Sequence, residues 1–118
     1  MPSNSILIVD TDRYSCAYLS DVLRHLGYDS QSTGNIDRAQ QLTSARLFRT
    51  ILVSEEVFKR SKGSALKMFR AAGCAPNIIL MRKMAKRAAT VDDGLDNNMT
   101  VIDMPVSVAS LMRAISPS

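Results

Sequence analysis

The chain has 118 residues, 46% of them hydrophobic and 22% charged, with a net charge of +4 and a pI near 9.4. That length suits one globular domain, residues 1–118, and supports a buried core without disulfides or a structural metal. The longest apolar runs, such as Ile6-Leu7-Ile8-Val9 and Ile78-Ile79-Leu80-Met81, are far shorter than the roughly 20 residues of a membrane helix. No secretory leader is visible in the polar Met1 to Asn4.

Taken in chain order, the pattern alternates strand and helix. Ser5 to Val9 reads as a strand buried on both faces, and Asp12 can cap the helix that follows. Tyr18, Leu19, Val22, Leu23 and Leu26 recur at helical spacing until Gly27 stops the helix. Tyr28 to Ser32 reads as a short strand nearer the sheet edge. Asn35 then caps a helix whose apolar face is Ile36, Ala39, Leu42 and Ala45. Thr50 to Ser54 is another buried strand, and residues 56–63 read as a polar loop.

A third helix is predicted through Ala65, Met68, Phe69 and Ala72, closed by Gly73, and a fourth strand over Asn77 to Met81. Residues 84–95 carry a weaker helical pattern. Met99 to Asp103 is the fifth strand, and Pro105 and Ser107 open a last helix through Val108, Leu111, Met112 and Ile115. This (βα)₅ order predicts an α/β fold: a doubly wound, flavodoxin-like, parallel five-stranded sheet in a three-layer α/β/α domain. Chemistry in such sheets gathers at the carboxyl ends of the strands. Those ends hold Asp10, Thr11 and Asp12; Ser54, Glu55 and Glu56; Arg82 and Lys83; and Asp103, Met104 and Pro105.

Here the chain resembles the receiver domain of two-component response regulators. Ile6 to Asp12 is similar to that family's opening strand and acidic turn. Leu19, Leu23, Leu26, Gly27 and Tyr28 resemble its first helix and second strand. Ile51 to Glu55, with Gly63 eight residues on, resembles the strand and loop that carry the phosphoacceptor aspartate, and Met104-Pro105 resembles its Lys-Pro. The resemblance implies two adjacent acids for Mg²⁺, an acceptor carboxylate, a Ser or Thr that senses the phosphoryl group, and a Lys that neutralises it.

Matched position by position, the equipment is degenerate. Asp10 remains of the acid pair, Thr11 replaces its neighbour, and Asp12 is left to cap the helix. The acceptor position holds Glu55, with Ser54 as the alternative register. The switch position holds Arg82 and the lysine position Met104, which can neither neutralise charge nor donate a hydrogen bond. The expectation is an atypical pseudo-receiver in cytoplasmic, bacterial phosphorelay signalling, not an enzyme. It would work independently of phosphorylation and bind Mg²⁺ weakly, at Asp10, or not at all. Its partners would be signalling proteins, a histidine kinase or an output domain. A homodimer through the face of residues 84–95, the fifth strand and the last helix is a further expectation.

Two alternatives stand beside it: weak phosphoacceptor activity at Glu55 or Ser54, and a cyclic-dinucleotide sensor built on the basic residues Arg82, Lys83, Lys86 and Arg87. Arg82 is also a candidate cation for Glu55 or Asp10. No aromatic residues interleave those basic positions, which argues against nucleic acid. The sequence has no Gly-rich phosphate loop. Its single histidine, His25, assembles no catalytic triad. Cys16 and Cys74 read as reduced thiols.

Overall fold

The structure is a computed structural model; it describes residues 5–45, 48–60, 77–83, 99–104 and 107–115. Five strands form one parallel sheet: β1 (Ser5–Val9), β2 (Asp29–Thr33), β3 (Thr50–Ser54), β4 (Asn77–Lys83) and β5 (Met99–Met104). Their order is β2-β1-β3-β4-β5, the flavodoxin-like order anticipated from the alternation. The helices among the described residues are α1 (Arg13–His25), α2 (Ile36–Ala45), α3 (Glu55–Arg60) and the C-terminal α4 (Val108–Ile115).

Period-two alternation along the strands divides the core between the two faces. Leu7, Val9, Ile51, Val53, Ile78 and Leu80 point to one side and pack with Ala39 of α2, Val57 and Phe58 of α3, and Phe48. Ile6, Ile8, Leu52, Ile79, Met81 and Ile102 point to the other and pack with Leu19 and Leu23 of α1 and Leu111 and Ala114 of α4. Because β1 and β3 are covered on both faces, every residue in them is buried, which is why both read as continuous apolar runs. Burying one such Leu or Ile side chain contributes about 1.5–3 kcal/mol.

Local signals set the ends of α1. Asp12 Oδ1 accepts the Tyr14 N–H at 3.0 Å and Oδ2 accepts the Ser15 hydroxyl at 3.1 Å, so the predicted cap is in place. At the other end Gly27 has φ +92°. Its N–H donates to Arg24 O at 3.0 Å and the Tyr28 N–H to Leu23 O at 2.9 Å. That Schellman closure needs a residue tolerant of the left-handed region. Asn35 Oδ1 caps α2 by accepting from Asp37 N and Arg38 N at 2.7 and 3.2 Å, and Ser107 Oγ caps α4 through Ser110 N at 3.1 Å.

Strand limits and one loop need correction. β2 lies one residue later than the alternation suggested, at Asp29–Thr33, and β4 and β5 run past their expected ends to Lys83 and Met104. Residues 56–63 do not begin as a loop: α3 starts at Glu55, immediately after β3, and runs to Arg60. The helices expected at 65–72 and 84–95 lie outside the described residues, as do Lys86 and Arg87.

Candidate functional site

The carboxyl end of β1 is where the acidic turn was expected, and the sheet fixes what stands beside it. Val9 pairs with Val53, so Asp10 and Ser54 are the next residues of the two neighbouring segments at this edge. Ser54 pairs with Met81. Arg82 is the following residue on β4 and pairs with Asp103, while Lys83 pairs with Met104. Parallel strands in this register thus bring the predicted positions from β1, β3, β4 and β5 to one edge.

Asp10 is 5% exposed. Its Oδ1 accepts the Asp12 N–H at 3.0 Å, and its own N–H donates to Thr33 O at 3.0 Å. The carboxylate is therefore part of the turn from β1 into α1. The Thr11 hydroxyl donates to Glu56 Oε1 at 3.2 Å, joining that turn to α3.

At the end of β3, Ser54 is buried and its Oγ accepts the Val57 N–H at 3.2 Å. That is a helix N-cap bond, and it converts strand into helix with no intervening loop. Glu55 becomes the first residue of α3. Its carboxylate, about a quarter exposed, lies 3.6 Å from Lys59 Nζ, one turn ahead; Glu56 and Arg60 repeat the arrangement at 3.6 Å. Among the described residues, the cation at ion-pair distance from Glu55 is Lys59. Arg82 is half-buried at the end of β4.

An open cleft of about 560 Å³ lies on the other side of β1, toward β2, lined by Asp10, Thr11, Cys16, Ser20 and Asn35 among others. Gly34 sits against the β1–α1 turn: a Cβ placed there would lie 3.2 Å from both Asp10 O and Thr11 Cα. Cys16 donates its thiol to Asp10 O at 3.4 Å. Burial, with the Asp10 charge second, pushes that thiol above the usual range despite a hydrogen bond with Ser32.

Mg²⁺ requires near-octahedral oxygen donors, and strong sites add carboxylates. Here the turn supplies one buried carboxylate whose Oδ1 is already hydrogen-bonded, beside a threonine. No three His, Cys, Asp or Glu side chains among the described residues converge to hold a metal. Among the described side chains, the turn thus offers a divalent ion one buried carboxylate.

Of the positions named from sequence, Asp10 and Thr11 follow β1, Ser54 ends β3, Glu55 opens α3, and Arg82 and Met104 lie at the ends of β4 and β5. Sequence reasoning named Glu56 at the end of the third strand but missed its bond to Thr11, and it missed the pairing of Glu55 with Lys59 and of Glu56 with Arg60. The signal was present in Glu55-Glu56-Val57-Phe58-Lys59-Arg60, where each acid precedes a base by four residues, the favourable helical order.

No protein-family model matches the sequence, and no curated protein matches it. Solved structures do. The chain is similar to a CheY-like response regulator receiver domain from Methylobacillus flagellatus (TM-score 0.80, 15% identity, covering 98% of this chain and 100% of that one). It is similar to a two-component response regulator from Clostridium difficile (0.78, 18%, 94% and 93%). A response regulator protein from Burkholderia pseudomallei, solved with a phosphorylated aspartic acid, calcium ion and citrate, gives 0.76 and 21%, covering 95% of this chain and 66% of that one. At these identities the likeness establishes the fold, which is that of response regulator receiver domains.

Proposed function

We propose that this chain is a receiver-type signalling module of a two-component system that works through protein–protein contact without phosphorylation. The receiver fold supports the signalling class. The observation that carries the second half is the junction at Ser54 and Glu55. The hydroxyl at the alternative acceptor position caps a helix, and the carboxylate at the expected acceptor position is the first residue of that helix, matched by Lys59. Phosphoryl transfer depends on positioning and charge compensation. A longer side chain anchored to α3, a threonine for the second acid and a methionine for the lysine remove both.

The negative charge of Glu55 is then constant, and the module holds one signalling state, recognised by a cytoplasmic kinase or output domain. It has no enzymatic role of its own. The test is incubation with acetyl phosphate and Mg²⁺ followed by intact-mass measurement. The expected result is an unmodified chain; a stoichiometric gain of one phosphoryl mass, mapped to Glu55 or Ser54, overturns the reading.

A further inference from the structure

Among the described residues, β2 is the terminal strand of the sheet and pairs with β1. One hydrogen bond reveals which of its backbone groups face the open side. The Asp10 N–H donates to Thr33 O at 3.0 Å, so Thr33 directs its backbone groups at β1. Hydrogen-bonding direction alternates along a strand. Gln31 and Asp29 therefore also face β1, while Ser30 and Ser32 turn their N–H and C=O groups outward.

Natural edge strands are usually blunted by lysine, proline or a bulge. β2 carries none of these. Its sequence is Asp-Ser-Gln-Ser-Thr, its register with β1 is unbroken over Ser5↔Asp29 to Val9↔Thr33, and its one charge stands at its start.

We infer that β2 is a self-association edge, at which a second copy of this chain adds its own β2 antiparallel across a two-fold axis at Gln31. In that register Ser30 faces Ser32 of the other copy, and Ser32 faces Ser30. All four residues point their backbone groups at the interface, so each Ser–Ser pair exchanges two N–H···O bonds. Sliding by one residue sets outward groups opposite inward ones and loses these bonds. Sliding by two replaces both pairs by a single pair within the strand, Ser32 opposite Ser32 or Ser30 opposite Ser30.

The side chains favour a second copy over a foreign strand. Strand addition by a different protein takes its specificity from pockets for alternate side chains, and β2 offers Ser, Gln and Thr. Those residues match themselves: Gln31 faces Gln31, and Asp29 faces Thr33, so no like charges stand opposite. The contact is isologous and closes on itself as a dimer. It lies at the opposite edge of the sheet from β5, and it does not depend on the state of the Glu55 site.

Sedimentation equilibrium of the chain from micromolar to millimolar concentration, at physiological ionic strength, tests this. The expected result is a reversible monomer–dimer equilibrium in which the Ser30 and Ser32 amides gain hydrogen-exchange protection as concentration rises. Ser30→Pro removes an N–H that faces outward, so pairing with β1 survives, and the dimer should weaken at least tenfold with the circular dichroism spectrum unchanged. Gln31→Lys and Gln31→Glu should each be monomeric alone and should associate when mixed in equal amounts, an arm that stands even where Ser30→Pro misfolds. A wild-type chain that stays monomeric at millimolar concentration overturns the inference. So does association of Gln31→Lys alone as strong as wild type, which would mean that another surface is used.

Discussion

Ser54 Oγ accepts the Val57 N–H at 3.2 Å inside the core, at the residue where β3 ends. This bond gives the strand-to-helix junction a fixed geometry and starts α3 at Glu55. N-cap hydroxyls contribute about 1 kcal/mol, within a range of about 0.5–2. Ser54→Ala should therefore lower stability by about that amount in urea denaturation, with an unchanged m-value. A loss of less than about 0.3 kcal/mol would mean that the junction does not depend on the cap.

Glu55 and Lys59 form an i,i+4 pair with Lys59 largely exposed. Such pairs couple by about 0.3–0.5 kcal/mol and are screened by salt. A double-mutant cycle with Glu55→Gln and Lys59→Ala should return that coupling at low ionic strength and lose it at molar salt. A cycle of Glu55→Gln with Arg82→Ala should give a smaller value. Coupling to Arg82 above 1 kcal/mol, the range of a partly buried pair, would instead make Arg82 the counter-charge of Glu55.

Mg²⁺ titration followed by calorimetry should give no saturable binding below several millimolar, a rough bound for one carboxylate whose Oδ1 is already hydrogen-bonded. Asp10→Asn should leave the titration unchanged. Submillimolar binding abolished by Asp10→Asn would show that the turn rearranges around the ion.

The fold was largely legible because its signals are local or periodic. Continuous apolar runs marked β1 and β3, Asp12 and Asn35 marked helix starts, and Gly27 a helix stop, and alternation of elements implied the parallel sheet. The start of α3 was not legible by the same means. Its six residues carry four charges, which suggested solvent, but Val57 and Phe58 are buried and the charges pair along the helix. The link from Glu56 to Thr11 was missed because it spans 45 positions of sequence and follows only once the sheet register is known. Gly34 gave no sequence signal either, since its constraint is the backbone of another turn.

Gly34→Ala tests that close approach. A Cβ at 3.2 Å from Asp10 O and from Thr11 Cα meets backbone, which yields less readily than a side chain. The turn must shift by a few tenths of an ångström, and overpacking of this kind costs about 1–3 kcal/mol. The Asp10–Asp12 hydrogen bond lies in the same turn, so amide exchange at Asp12 should quicken. An alanine variant as stable as wild type would show that the turn moves freely.

Cys16 gives a pH dependence whose sign is set by burial. The folded state holds its thiol protonated to higher pH than the unfolded chain does. Its contribution to stability is complete below the ordinary thiol value of about 8.5 and is lost as pH rises through the raised folded value. The difference in stability between wild type and Cys16→Ser should be constant from neutral pH to about 8, then shift against the wild type in more alkaline solution. In the native state, alkylation of Cys16 by iodoacetamide should lag behind that of a free thiol at pH 8, because the thiolate is the nucleophile. The unfolded chain should react at the ordinary rate. Native alkylation as fast as that of the unfolded chain would contradict both the raised value and the burial beneath the Asp10 turn.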